Sequence, residues 1–124
     1  MQKQMANSSC SSECVYAEHW YDDVVVIGCS GVVDMLTAPE LERRVAVAMS
    51  KQPSALIIDL TAVDFLASHG LSVLVGTHDR VSPEVAFVVV ADGPATSRPM
   101  TLTGLTDIIT VQASLSVALK TLEV

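Results

Sequence analysis

Ala55-Leu56-Ile57-Ile58-Asp59-Leu60-Thr61-Ala62-Val63-Asp64-Phe65-Leu66-Ala67-Ser68-His69-Gly70-Leu71 is the stretch on which the fold turns. Its first six residues are apolar apart from Asp59, and they form a short continuous run. That pattern describes a strand covered on both faces of a sheet. Thr61 to Leu66 reads as a connecting loop with buried anchors. Ser68 then stands where an N-cap belongs, ahead of a helix whose inward face is Leu71, Leu74, Val75 and His78.

Working outward toward the N-terminus, Val15, Ala17 and His19 alternate with Tyr16, Glu18 and Trp20. Tyr21-Asp22-Asp23 offers a turn, and Val24 to Cys29 follows as a β-branched run, which together predict a hairpin. Gly31-Val32-Val33-Asp34 leads to a helix start, with Thr37 as N-cap, Pro39 in the first turn and Glu40 completing a capping box. Leu41, Val45, Ala48 and Met49 share one face of that helix, and Lys51-Gln52-Pro53-Ser54 ends it. Toward the C-terminus, a strand over Glu84 to Ala91 stops at Asp92-Gly93-Pro94. A short helix through Met100 and Leu102 reaches Gly104, and Leu105 to Val111 contains a last strand. Ser114 caps a final helix with Leu115, Ala118, Leu119 and Leu122 inward. The order β-β-α-β-α-β-α-β-α predicts an α/β domain: a mixed sheet of about five strands with about four helices packed mainly on one face.

The 124 residues suffice for one domain. Half are hydrophobic but only 4% aromatic, so the core must be aliphatic. Residues 1–12 are polar and aperiodic and are expected to form a flexible N-terminal tail, leaving 13–124 as the folded domain. The formal charge of −7 repels phosphate backbones and anionic lipid, so neither nucleic acid nor a membrane is expected as partner. A partner that presents basic groups is compatible with it. No segment approaches the ~20 continuous apolar residues of a membrane span, and the polar start lacks the apolar stretch of a secretory signal. Three cysteines speak against a disulfide framework and for a reducing cytoplasm.

Catalytic constellations are missing. The chain has no Gly-rich phosphate loop, no Cys-x-x-Cys and no Gly-x-Ser-x-Gly elbow. Ser68 and His69 do not make a dyad, because adjacent helical residues point in different directions. A non-enzyme without cofactor or metal is therefore expected. Cys10 and Cys14, near His19, form a candidate redox element whose spacing fits no zinc pattern; Cys29 reads as a small core residue.

Two motifs resemble those of the STAS domain, in particular the anti-sigma-factor antagonists of bacteria. In that family the second strand runs into a Gly-Glu-Leu-Asp turn followed by Thr-Ala, and here Gly31-Val32-Val33-Asp34 and Thr37-Ala38 take that place. The signature after the third strand is an Asp-Leu-Ser-like stretch and then Phe-hydrophobic-Asp-Ser-Ser-Gly-Leu. Its counterparts are Asp59-Leu60-Thr61 and Phe65-Leu66-Ala67-Ser68-His69-Gly70-Leu71. The resemblance spans residues 13 to 124. It implies an antagonist that binds an anti-sigma factor, releases a sigma factor and so regulates transcription in the bacterial cytoplasm. The implied partner is a serine kinase of the histidine-kinase-like ATPase type, and the implied state a monomer or weak dimer. Ser68 falls on the family's phosphoacceptor, and Gly31, Asp34, Thr37, Leu66, Ala67, Ser68, His69 and Gly70 on its partner-binding surface. Ala67 replaces the family's Asp and His69 its second Ser, which removes a carboxylate beside the acceptor. Two other readings stay open: an accessory subunit of a transporter or signalling complex with no phosphorylation, and an antagonist controlled by oxidation of Cys10 and Cys14.

The residues themselves suit a switch. A serine at a helix start lies beside unpaired backbone N–H groups that favour an anion. Phosphate there adds about −1.5 to −2 charge to a protein surface.

Overall fold

A computed structural model describes residues 13–81 and 83–122. The predicted tail over residues 1–12, with Cys10, lies outside the described residues. Strand β1 (Cys14–Tyr21) turns at Asp22, whose φ is +56°, into β2 (Val24–Val33). Helix α1 (Ala38–Ser50), β3 (Ala55–Leu66), α2 (Ser68–Arg80) and β4 (Ala86–Val90) follow. Helix α3 (Ser97–Leu102), a single 3₁₀ turn (Leu105–Asp107), β5 (Thr110–Gln112) and α4 (Leu115–Leu122) complete the fold. The strands lie in the order β1-β2-β3-β4-β5. The β1–β2 hairpin is antiparallel and the remaining pairs are parallel, which makes the mixed sheet that the element order predicts.

Apolar side chains alternate between two layers. Val25, Ile27, Leu56, Ile58 and Leu60 face α1 and α2, packing with Leu41, Val45, Leu74 and Met100. Val26, Ile57, Val88 and Val90 face the other way, against Ala118 of α4, with Leu115, Leu119 and Leu122 packed around it. Burial on both faces is why Ala55 to Ile58 can be apolar throughout. On the second face α4 reaches β3, β4 and β5, so that layer covers the β3–β5 half of the sheet.

The structure corrects several local expectations. Thr61 to Leu66 is not a loop; β3 continues through it, paired with β2 as far as Val33↔Leu66. Register shifts at Gly28/Ser30 and Gly31/Val32 break the two-residue alternation that would have announced a strand. Ser68 is the first residue of α2, and Ala67 holds the N-cap position without a side-chain cap. The predicted Thr37–Glu40 capping box does not form, because Glu40 bonds Arg43 and Arg44 and the Thr37 hydroxyl serves β2. Helix α2 is also rotated from the predicted face: Gly70, Val73, Leu74 and Thr77 are buried, whereas His78 is exposed. The last short strand, expected within Leu105 to Val111, is Thr110–Gln112, shifted one residue past that range, and a 3₁₀ turn occupies Leu105–Asp107 before it.

Candidate functional site

Strands β2 and β3 are parallel neighbours, so they end at the same edge, and the chain leaves them side by side. Ala67 N–H donates to the Val33 carbonyl at 2.8 Å, tying the two exits together. After β2, the Asp34 carboxylate accepts from the N–H of Leu36 (2.9 Å) and Thr37 (3.2 Å), a local turn that asparagine and aspartate favour. The Thr37 hydroxyl donates to the Val32 carbonyl at 2.7 Å and accepts from the Asp34 N–H at 2.9 Å. Residues 34–37 are thus held by their own side chains.

Strand β1 braces this turn from outside. The Tyr16 hydroxyl donates to the Thr37 carbonyl at 2.9 Å, and burial keeps its pKa far above the usual tyrosine value, so it acts as a neutral donor. Val32 N–H donates to the Glu13 carbonyl at 2.8 Å. Gly31 sits at φ +108° against that same Glu13 carbonyl, where a Cβ would collide, so a glycine is required there.

The start of α2 is set by Gly70. A Cβ on Gly70 would lie 2.6 Å from Leu66 Cδ1 and 2.8 Å from Val33 Cγ1, so the missing side chain lets the first turn rest on the strand ends. With Gly70 buried inward, Ser68 and His69 are exposed. The Ser68 hydroxyl does not cap its own helix, and the Ser68 carbonyl accepts from Ser72 Oγ at 3.0 Å.

Gly31, Asp34, Thr37, Leu66, Ala67, Ser68, His69 and Gly70 therefore sit along one edge of the sheet. Their parts differ. Leu66 and Gly70 are buried and shape the surface from beneath; Asp34, Thr37 and Ala67 are half-buried, and Ser68 and His69 face solvent. Cys14 is a half-buried free thiol on β1, and Cys29 is a buried one on β2 whose pKa burial pushes up, which makes it a poor nucleophile. No group of three or more His, Cys, Asp or Glu among the described residues could hold a metal ion. Sequence reasoning missed three members of this edge: Met35, Leu36 and Phe65, which are 62%, 67% and 57% exposed. The signal available for the first two was their position inside a turn, between Asp34 and Thr37.

A family model for the STAS domain matches residues 19–118. The chain belongs to the STAS-domain family. It is 41% identical over 85 residues, 68% of this chain and 70% of the other, to the anti-sigma-F factor antagonist RsfB of Mycobacterium tuberculosis. It is 32% identical over 91 residues, 73% of this chain and 80% of the other, to the anti-sigma-B factor antagonist of Listeria monocytogenes. Among solved structures, an anti-sigma factor antagonist from Mycobacterium paratuberculosis superposes with a TM-score of 0.89 at 39% identity, covering 94% of this chain and all of that one. The STAS fold accounts for the shared edge: parallel β2 and β3 must deliver the Asp34 turn and the α2 start to one place. No helix among the described residues is long and apolar enough to cross a membrane.

Proposed function

We propose that this STAS protein is an anti-sigma-factor antagonist, acting in the cytoplasm by binding rather than by catalysis. In its unmodified form it docks an anti-sigma factor through the α2 start and the Asp34 turn and thereby frees a sigma factor. The observation that carries this reading is the exposed Ser68 on the first turn of α2, beside a turn locked by Asp34 and Thr37. The 41% identical antagonist supports it.

Phosphorylation of Ser68 by a kinase-type anti-sigma factor is the proposed off-switch. The hydroxyl is accessible, and a phosphate at the first helical residue gains from the N-terminal N–H groups and the helix dipole. Gly70 pins the turn to Val33 and Leu66, so the added charge has no inward position to occupy. It stays on the docking surface as a strongly hydrated anion that a partner must desolvate. With Ala67 preceding it, no carboxylate flanks the serine directly, and a kinase must recognise the surrounding surface instead.

The test is calorimetric binding of the full chain to purified anti-sigma-F factor of M. tuberculosis. Ser68→Glu should bind at least about tenfold more weakly than wild type, whereas Ser68→Ala should bind within a few-fold; tenfold is about 1.4 kcal/mol. If Ser68→Glu binds as tightly as wild type, the switch does not operate at this serine.

A further inference from the structure

The two edges of the sheet differ in length. β5 closes one side with three residues, whereas β1 lies at the other with eight, and no strand among the described residues pairs with its outer side. Along an antiparallel strand the backbone groups point alternately toward the neighbour and away from it. The bond from Val32 N–H to the Glu13 carbonyl turns Glu13 toward β2, so Val15, Ala17, His19 and Tyr21 also bond inward. Cys14, Tyr16, Glu18 and Trp20 therefore direct their N–H and C=O groups away from the sheet.

Soluble proteins blunt such edges with proline, lysine, a bulge or a very short strand. Cys14–Tyr21 contains neither proline nor lysine and pairs with β2 in unbroken register; the register shifts lie in the β2–β3 pair. Its one carboxylate, Glu18, is bonded to Lys51. The strand also holds three large hydrophobic side chains in water: Val15, Tyr21 and Trp20, which are 69%, 45% and 37% exposed. Val15, Ala17, His19 and Tyr21 lie on the same face as Val26, in the half of that face beyond the reach of α4.

We propose that β1 pairs antiparallel with β1 of a second copy about a two-fold axis at Ala17, joining two five-stranded sheets into one. The strand is complementary to itself in this register. Cys14 then faces Trp20 of the second copy and Tyr16 faces Glu18, so all the outward residues find partners and about eight backbone hydrogen bonds form. Centring on Glu18 would set that carboxylate against its own copy, and centring on Tyr16 leaves Trp20 unpaired. At Ala17 the two small side chains meet, and Val15 lies opposite His19 and diagonal to Tyr21 of the second copy, which covers exposed apolar area. The proposal is independent of the antagonist reading. Two-fold pairing reverses the strands, so the two Ser68 edges point in opposite directions and neither is covered.

Sedimentation equilibrium of the full chain from about 10 µM to 1 mM, the range that a small interface populates, tests this. Wild type should show a monomer–dimer equilibrium. It should strengthen with salt, because each copy carries −7 and Glu13 lies close to Asp22 of the second copy. Ala17→Lys places like charges opposite each other at the axis and should weaken the dimer at least about tenfold. Ala17→Thr, uncharged and suited to a strand, should stay within about twofold of wild type. Ala17 is exposed, so both variants should melt as wild type does. In a Cys10→Ser, Cys14→Ser background, Ala17→Cys should form an intermolecular disulfide under mild oxidant faster than His19→Cys. The axis brings the two Cα atoms of residue 17 to about 4.5 Å, within disulfide reach. A wild-type chain that stays monomeric, or a dimer that Ala17→Lys leaves intact, overturns the proposal. Faster crosslinking through His19→Cys overturns the register. A dimer lost in Ser68→Glu would place the interface at the α2 start instead. If the chain is monomeric and Ala17→Lys weakens its binding to purified anti-sigma-F factor of M. tuberculosis, the edge receives that partner and not a second copy.

Discussion

At Gly70 two opposing effects meet within one side chain. Replacing a helical glycine by alanine gains up to about 1 kcal/mol of helix propensity, and less in the first turn. Here the new methyl would lie 2.6 Å from Leu66 Cδ1 and 2.8 Å from Val33 Cγ1, both in buried residues. Val33 is stiff at χ1 and Leu66 is packed, so neither side chain yields freely. Overpacking of this kind costs typically 1–3 kcal/mol, roughly speaking, which exceeds the gain. Gly70→Ala should therefore lose about 1 kcal/mol in urea denaturation, and lifting the α2 start should weaken partner binding more than Ser68→Ala does. A variant more stable than wild type would show that the contact is not tight.

At the level of elements, β1 does more than extend the sheet. Its Tyr16 hydroxyl reaches the Thr37 carbonyl, and the backbone of Glu13 holds Val32, so the hairpin braces the Asp34 turn from the side away from α2. Tyr16→Phe removes one donor, while the Thr37 carbonyl keeps its bond from Glu40 N–H at 3.1 Å. The global cost should be modest, about 0.5–1.5 kcal/mol. Local opening should rise more: amide exchange at Leu36 and Thr37 should quicken relative to the β3 core, and uniform quickening across the sheet would argue against bracing. The brace also marks a limit of sequence reading. Asp34 and Thr37 were legible as a turn because turn chemistry is local, whereas Ser68 was placed by the family motif, since the N-cap position that local reading gave it belongs to Ala67. The partner of Tyr16 is 21 positions away and has no sequence signature. Likewise, β3 beyond Leu60 was hidden because bulges opposite Gly28 and Gly31 spoil the alternation, and pairing with β2 overrides it. Met35 and Leu36 resemble core residues by type; only the locked turn turns them outward.

For the whole molecule, charge sets a pH dependence whose sign follows from the ion pairs. Hydrogen bonds from Arg43 and then Arg44 lower the Glu40 pKa to about 2, and those from Trp20 and then Lys51 lower that of Glu18. A carboxylate whose folded pKa lies below its unfolded value contributes stability that is fully present above the unfolded pKa. That contribution disappears as the pH falls through the folded pKa. The Glu40 contribution should therefore be intact at neutral pH and decline from about pH 4.5, its ordinary value, toward about pH 2. Both partners are solvent-exposed, so screening keeps the effect small and salt-sensitive. In the opposite direction, moderate acidification reduces the self-repulsion of a chain carrying −7. Melting temperature should thus change little, or rise, between pH 7 and pH 5, and fall steeply below pH 4.5. Glu40→Gln should make that acid limb shallower and leave the neutral plateau nearly in place. An unchanged slope in this variant would show that the α1 ion pairs do not contribute and that acid unfolding originates in other carboxylates.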